Sequence, residues 1–308
     1  MPGAWIDRQL PTGKEVFLDH VGYFTADLAT AGSQLERLGF AVSPVNLQQN
    51  AGAAGVLKPS GTSNRLAVLR RGFLEVLAAT HDTPLAGQLK AALQRYAGLH
   101  LIALSHADIP AQRERLMSLG FAMQEVVHLR RHKRTSEGLR EVRWSVLRPQ
   151  PGVIPEGRLQ FAYCHTPELT WSEPVSPLAN GADGLTDILL CVPDRRETAE
   201  RFGRFAGRDP SDDGRFSIVT LDRGRLLFVE RDVASAIPNF VLPNLPYMAG
   251  QALRTTDLDR LRGILAGAKV KPLVDHDLVV CLAAGDALGS LLLFHHAAVT
   301  SPWAALIG

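Results

Sequence analysis

The chain has 308 residues, with 33 Lys and Arg against 31 Asp and Glu and a formal charge of +2. So even a balance gives no reason to expect a nucleic-acid partner, and a chain of this length divides into two bodies of roughly 150 residues more readily than it grows one core. Cys164, Cys191 and Cys281 lie far apart with no CxxC pair, which reads as small core residues in a reducing, cytoplasmic compartment.

From the N-terminus, Asp7, Lys14 and Glu15 stand where a signal peptide would need an apolar run. The segment Phe17-Leu18-Asp19-His20-Val21-Gly22-Tyr23-Phe24 has strand character. After it, Leu28, Ala31, Leu35 and Leu38 recur at helical spacing, with Asp27 placed to cap the helix and Gly39 to end it. A strand opens at Phe40-Ala41-Val42, and Arg71-Gly72-Phe73-Leu74-Glu75-Val76-Leu77 reads as a turn and a closing strand.

The pattern returns 81 residues later. Asp108 answers Asp27, Leu119-Gly120-Phe121-Ala122 answers Leu38-Gly39-Phe40-Ala41, and Glu156-Gly157-Arg158-Leu159-Gln160-Phe161-Ala162 answers the closing turn and strand. Two fainter copies run from Leu185 to Glu230 and from Met248 to Phe294. The spacing predicts an α+β fold of four βαβββ modules, paired into two cup-shaped halves with helices outside and a ligand-sized concave face inside. The N-terminal half is expected over 15–175, with modules near 15–82 and 97–172, and the C-terminal half over 184–300, with modules near 184–233 and 247–297. The connection is placed in the Pro- and Gly-rich stretch from Pro174 to Gly184.

Between the two halves of the second module lies the basic run His128-Leu129-Arg130-Arg131-His132-Lys133-Arg134, which reads as a solvated hairpin face or a contact for an anionic ligand. The apolar stretch from Leu278 to Val299 is broken by Gly285, Asp286 and Gly289, so it predicts short strands and a turn, not a membrane span. A glycine-rich strand-to-helix turn is absent, so no nucleotide cofactor is expected.

The four-module layout and Leu18-Asp19-His20-Val21 resemble the vicinal oxygen chelate superfamily. More narrowly, Gly61-Thr62-Ser63-Asn64-Arg65-Leu66, Gly72-Phe73-Leu74-Glu75-Val76, His165-Thr166-Pro167-Glu168-Leu169-Thr170-Trp171 and Asn180-Gly181-Ala182 resemble a glyoxalase-like family. The resemblance implies a divalent metal (Zn, Fe, Mn or Ni) in the cup, chelated by neighbouring oxygens of a small substrate. Reactions in the superfamily include glyoxalase-type isomerisation, extradiol ring cleavage and metal-free drug binding, so the fold does not choose among them.

In that pattern the metal ligands are His20 on the first strand and Glu75 on the last strand of the same module, with Glu75 also the candidate catalytic base. A carboxylate among Phe73, Leu74, Val76 and Leu77 needs a partner, whether a metal or an arginine such as Arg65. In the second module Leu101 aligns with His20 and Gln160 with Glu75, so the second ligand pair is not preserved. His165 is the candidate third ligand, ahead of His100, which is one residue out of register. Asn64, Arg65, Gln160 and Trp171 are the expected substrate-binding residues, and Ser63 stands where the family often has histidine. The positions that would hold iron in an extradiol enzyme are Asp187, Gly250 and Leu292 or Leu293, which cannot form a two-histidine, one-carboxylate site. His295 and His296 are expected on opposite faces. A metal-dependent enzyme on a small oxygenated or carbonyl substrate, a metal-free binding protein and a structural homodimer all stay open, and no membrane partner is expected.

Overall fold

The computed structural model describes residues 5–51, 57–171 and 178–307. Its elements fall into four modules of the same order. The first is β1 (Phe17–Phe24), α1 (Leu28–Arg37), β2 (Asn46–Ala51), β3 (Leu57–Val68) and β4 (Phe73–Ala79). A linking helix, α2 (Pro84–Arg95), leads to β5 (Gly98–Ser105), α3 (Ile109–Ser118), β6 (Val127–Thr135), β7 (Gly138–Leu147) and β8 (Arg158–Cys164). After α4 (Pro167–Thr170), the third module is β9 (Ala182–Cys191), α5 (Arg195–Ala206), β10 (Pro210–Asp212), β11 (Ser217–Thr220) and β12 (Arg225–Val229). Past α6 (Arg231–Ala234), the fourth is β13 (Tyr247–Thr255), α7 (Leu258–Gly267), β14 (Val274–His276), β15 (Val279–Leu282) and β16 (Leu291–His296), and α8 (Ala304–Ile307) closes the chain. Residues 174–177 of the expected connection lie outside the described residues, and β9 begins within its far end.

The repeat has a local cause. Each module helix starts on an aspartate whose carboxylate accepts backbone N–H groups of the first turn: Asp27, Asp108, Asp194 and Asp257. Each module's last strand follows a glycine at positive φ: Gly72, Gly157, Gly224 and Gly289. The need is steric as well as conformational, since a Cβ on Gly72 would lie 2.6 Å from the Asp19 carbonyl oxygen and one on Gly157 2.8 Å from that of His100. The turn must pass this close to the first strand because the first and last strands of the module pair in parallel, β1 with β4 and β5 with β8.

In the N-terminal half the strands pair in a cycle, β1-β4-β3-β2-β6-β7-β8-β5 and back to β1, with β2 and β6 meeting at Asn50 and Leu129. The sheet therefore curves into a deep cup. The C-terminal half is the open run β10-β11-β12-β9-β13-β16-β15-β14. The halves meet where Met248 of β13 pairs with Leu99 of β5, and they share a core on the helix-covered side. Phe161 of β8 stacks on Phe205 of α5 at 5.2 Å, and a bidentate Arg201–Glu156 pair at 2.8 and 2.9 Å crosses the same seam.

The concave faces differ. In the C-terminal half the chain fills its own cup: Ile237, Trp303, Leu306 and Ile307 pack against Leu189, Leu227, Ala249 and Leu293. Asp187 Oδ1 accepts from Arg225 Nε at 2.5 Å. His295 is buried and His296 exposed, so they do point apart. Among the described residues no helix is long and apolar enough to cross a membrane. The cup that stays open is the N-terminal one.

Candidate active site in the N-terminal cup

His20 reaches the cup through an irregularity in β1. Leu18 pairs with Leu104 and His20 with Ala103, which leaves Asp19 as an extra residue in the strand. That bulge lets two sequence neighbours meet, and the Asp19 Oδ1 lies 2.6 Å from His20 Nδ1. A carboxylate can only accept here, so Nδ1 carries the hydrogen and Nε2 presents its lone pair to the cup. The imidazole is held flat on Phe73, with ring centres 4.2 Å apart, and Trp144 meets its edge.

Glu75 stands on β4, two residues past Phe73 and so on the same face of the strand. Its Oε1 accepts from Asn64 Nδ2 and from Gln48 Nε2, the latter at 3.1 Å. Its Oε2 lies 3.9 Å from His20 Nε2. Two lone-pair donors thus face each other at a separation too long for a hydrogen bond. Metal–nitrogen and metal–oxygen bonds of about 2.0–2.2 Å place two ligands of one ion roughly 3–4 Å apart, so His20 and Glu75 fit a shared divalent cation.

The cavity between them has a volume of about 90 Å³ and is walled by Leu66, Leu77, Leu101, Val142 and Val146 as well as the two aromatic rings. Gln160 lines it, and its Oε1 accepts from Arg148 Nε at 3.0 Å. Arg130, Arg131, Arg148 and Arg158 also line it. Burial and the neighbouring Arg148 push the Arg158 guanidinium down to about 9, against a smaller upward pull from Glu75. Among the lining residues the arginines outnumber carboxylates, with Glu75 the single acid.

The other expected site residues lie elsewhere. His165 is exposed, and its Nε2 is 2.7 Å from Ser145 Oγ, which also faces His128 Nδ1 at 3.1 Å. It does not line the cavity. Arg65 turns to the outer surface, where it bonds the Ser43 carbonyl at 2.8 Å and pairs with Glu36 at 2.9 Å, so it is not the partner of Glu75. Trp171 stands behind the wall, about 6 Å from both Phe73 (6.1 Å) and Trp144 (6.0 Å). Leu101 and Gln160 face the cavity, whereas His100 lines a second cavity on the far side of Arg148 and Arg158. Among the described residues no cluster of three or more His, Cys, Asp or Glu side chains could hold a metal.

Asp19, Gln48, Arg148 and Arg158 were not singled out from sequence. Arg148 and Arg158 flank the Pro149–Gly157 loop, and an arginine at a strand end has no sequence mark that distinguishes an inward from an outward side chain. Asp19 had one: a charged residue in an otherwise apolar strand, beside a histidine.

The profile of the glyoxalase-like domain family matches residues 18–205. No curated protein matches by sequence. Among solved structures, a hypothetical protein from Staphylococcus aureus has a TM-score of 0.64 at 11% identity, covering 91% of this chain and 99% of its own. A mutant of 4-hydroxymandelate synthase from Streptomyces coelicolor reaches 0.56 at 13% identity, covering 92% of each chain. The Mn(II)-bound glyoxalase from Novosphingobium aromaticivorans reaches 0.53 at 11% identity, covering 92% of this chain and 82% of its own. At these identities the likeness concerns the fold.

Proposed function

The chain belongs to the glyoxalase-like domain family of the vicinal oxygen chelate superfamily, and we propose that it is a divalent-metal-dependent enzyme of lyase or isomerase type acting on a small oxygenated or carbonyl substrate in the N-terminal cup. The observation that carries this reading is the pair His20 Nε2 and Glu75 Oε2, 3.9 Å apart, with Asp19 fixing the imidazole from behind. His20 and Glu75 would hold the ion and leave its remaining positions to water and substrate oxygens. When bound, a divalent ion supplies Lewis-acid polarisation of those oxygens.

The chain's own groups divide the remaining work. Gln48 and Asn64 hold Glu75 Oε1, so that Oε2 stays directed at the cup, where it would hold the ion and, only when released from that bond, accept or return a substrate proton. Phe73 and Trp144 close one wall against water, and Gln160 presents its amide to substrate. His165 and Trp171 have no place in this assignment.

Metal analysis of purified protein, after repletion with Mn(II) or Zn(II) and removal of free ion, tests the reading. About one equivalent per chain is expected. His20→Ala and Glu75→Gln should each lower affinity by at least about tenfold. A wild-type protein that retains no ion would overturn the enzyme reading and favour a metal-free ligand-binding cup. Retention undiminished in both variants would place the ion elsewhere.

A further inference from the structure

Arg148 and Arg158 lie side by side between the cup and the second cavity and line both. Neither forms an ion pair among the described residues. Arg148 gives its Nε to Gln160, while Arg158 has no hydrogen bond among the described residues and rests over the Phe24 ring at 5.3 Å. Glu75, the one carboxylate among the described residues that line the cup, is already engaged by Gln48 and Asn64. Both guanidinium groups are half-buried, they repel each other, and Glu75 is the single acid among the residues that line the cup with them, so the pair favours an anion, and its planar N–H forks match a carboxylate. The wall facing them is apolar: Phe73, Leu77, Leu101, Trp144 and Val146.

Resting on the reading of the cup as a substrate site, we propose that its ligand is an organic acid, with the carboxylate held by Arg148 and Arg158 and an apolar, planar body against Phe73 and Trp144. The acid group anchors the molecule at the floor of the cup and directs its remaining oxygens towards His20 and Glu75. Gln160 sets the Arg148 fork through its side-chain carbonyl and is a positioning residue for the anion.

Benzoate and its neutral isostere benzamide separate charge from shape. In calorimetric titrations of the full chain, with and without Mn(II), benzoate should bind at least about tenfold more tightly than benzamide. Arg158→Met should remove that preference while Mn(II) affinity is kept, and Arg158→Lys should retain part of it. Far-UV circular dichroism identifies a variant that has failed to fold, and Arg148→Met then carries the test. Equal binding of the two probes, no heat from benzoate at millimolar concentration, or a preference unchanged in both methionine variants would overturn the proposal. Inorganic phosphate binding as tightly as benzoate would overturn the organic-acid assignment. Benzoate selectivity without any metal binding would sink the metalloenzyme reading and leave this one standing, whereas metal binding without selectivity would sink this one alone.

Discussion

His100 sits between the rings of Tyr96 and Phe24, with centres 4.0 and 5.1 Å away, and its Nε2 is 2.8 Å from the Tyr96 carbonyl oxygen. Burial pushes its pKa down to about 4, opposed by the bond to Tyr96 and helped by Arg95 and Arg158. The unfolded chain therefore binds a proton at this residue below about pH 6.5 while the folded one does not until about pH 4. Stability should fall as pH drops through that window, by an amount on the order of a few kcal/mol from this residue. His100→Phe should flatten that part of the curve in urea denaturation measured at pH 4.5 and 7, and an unchanged slope would contradict the assignment. The residue scale also marks the limit of the sequence. That His20 and Glu75 share the cup could be anticipated, because a histidine and a carboxylate in apolar strands demand an explanation. Arg148, Arg158 and Gln48 could not be, since their ordinary place is the surface and only the curvature of the sheet turns them inward. In the basic run from His128, Leu129, Arg130 and Arg131 all line the cavity, and Arg130 also reaches Glu141 at 3.6 Å.

At the scale of elements, aspartate caps and turn glycines made the four modules readable, because each signal acts within a few residues. The filling of the C-terminal cup was not readable. Helix α8 has four residues and no amphipathic period, yet Trp303, Leu306 and Ile307 are buried in that cup. Trp303 is fully enclosed, and a Cβ on Gly250 would lie 2.8 Å from its Cη2. Trp303→Ala should lower stability by about 3–5 kcal/mol, the cost of a large cavity in a packed core, without altering metal retention in the N-terminal cup. Equilibrium denaturation checks the first part and metal analysis the second. A loss under about 1 kcal/mol would mean that the C-terminal segment is only loosely seated and that this cup can open to a ligand.

For the whole molecule, the decisive features are pairings between distant segments. The β1–β5 pairing and the meeting of β2 with β6 curve the first half into a cup, while the second half stays open along β10 and β14 and is stoppered from within. Module order could be read from the chain, but which cup remained available could not, because that depends on where the last few residues pack. All of the proposed chemistry therefore lies in the N-terminal half, and the C-terminal half is proposed to serve structure. Anomalous diffraction from crystals soaked in Mn(II) tests this directly. A single strong peak is expected in the N-terminal cup, about 2.0–2.3 Å from both His20 Nε2 and Glu75 Oε2, with Asp19 still on the far side of the imidazole. A peak bound instead at His128 and His165, one in the C-terminal half, or none at any soak concentration would contradict it.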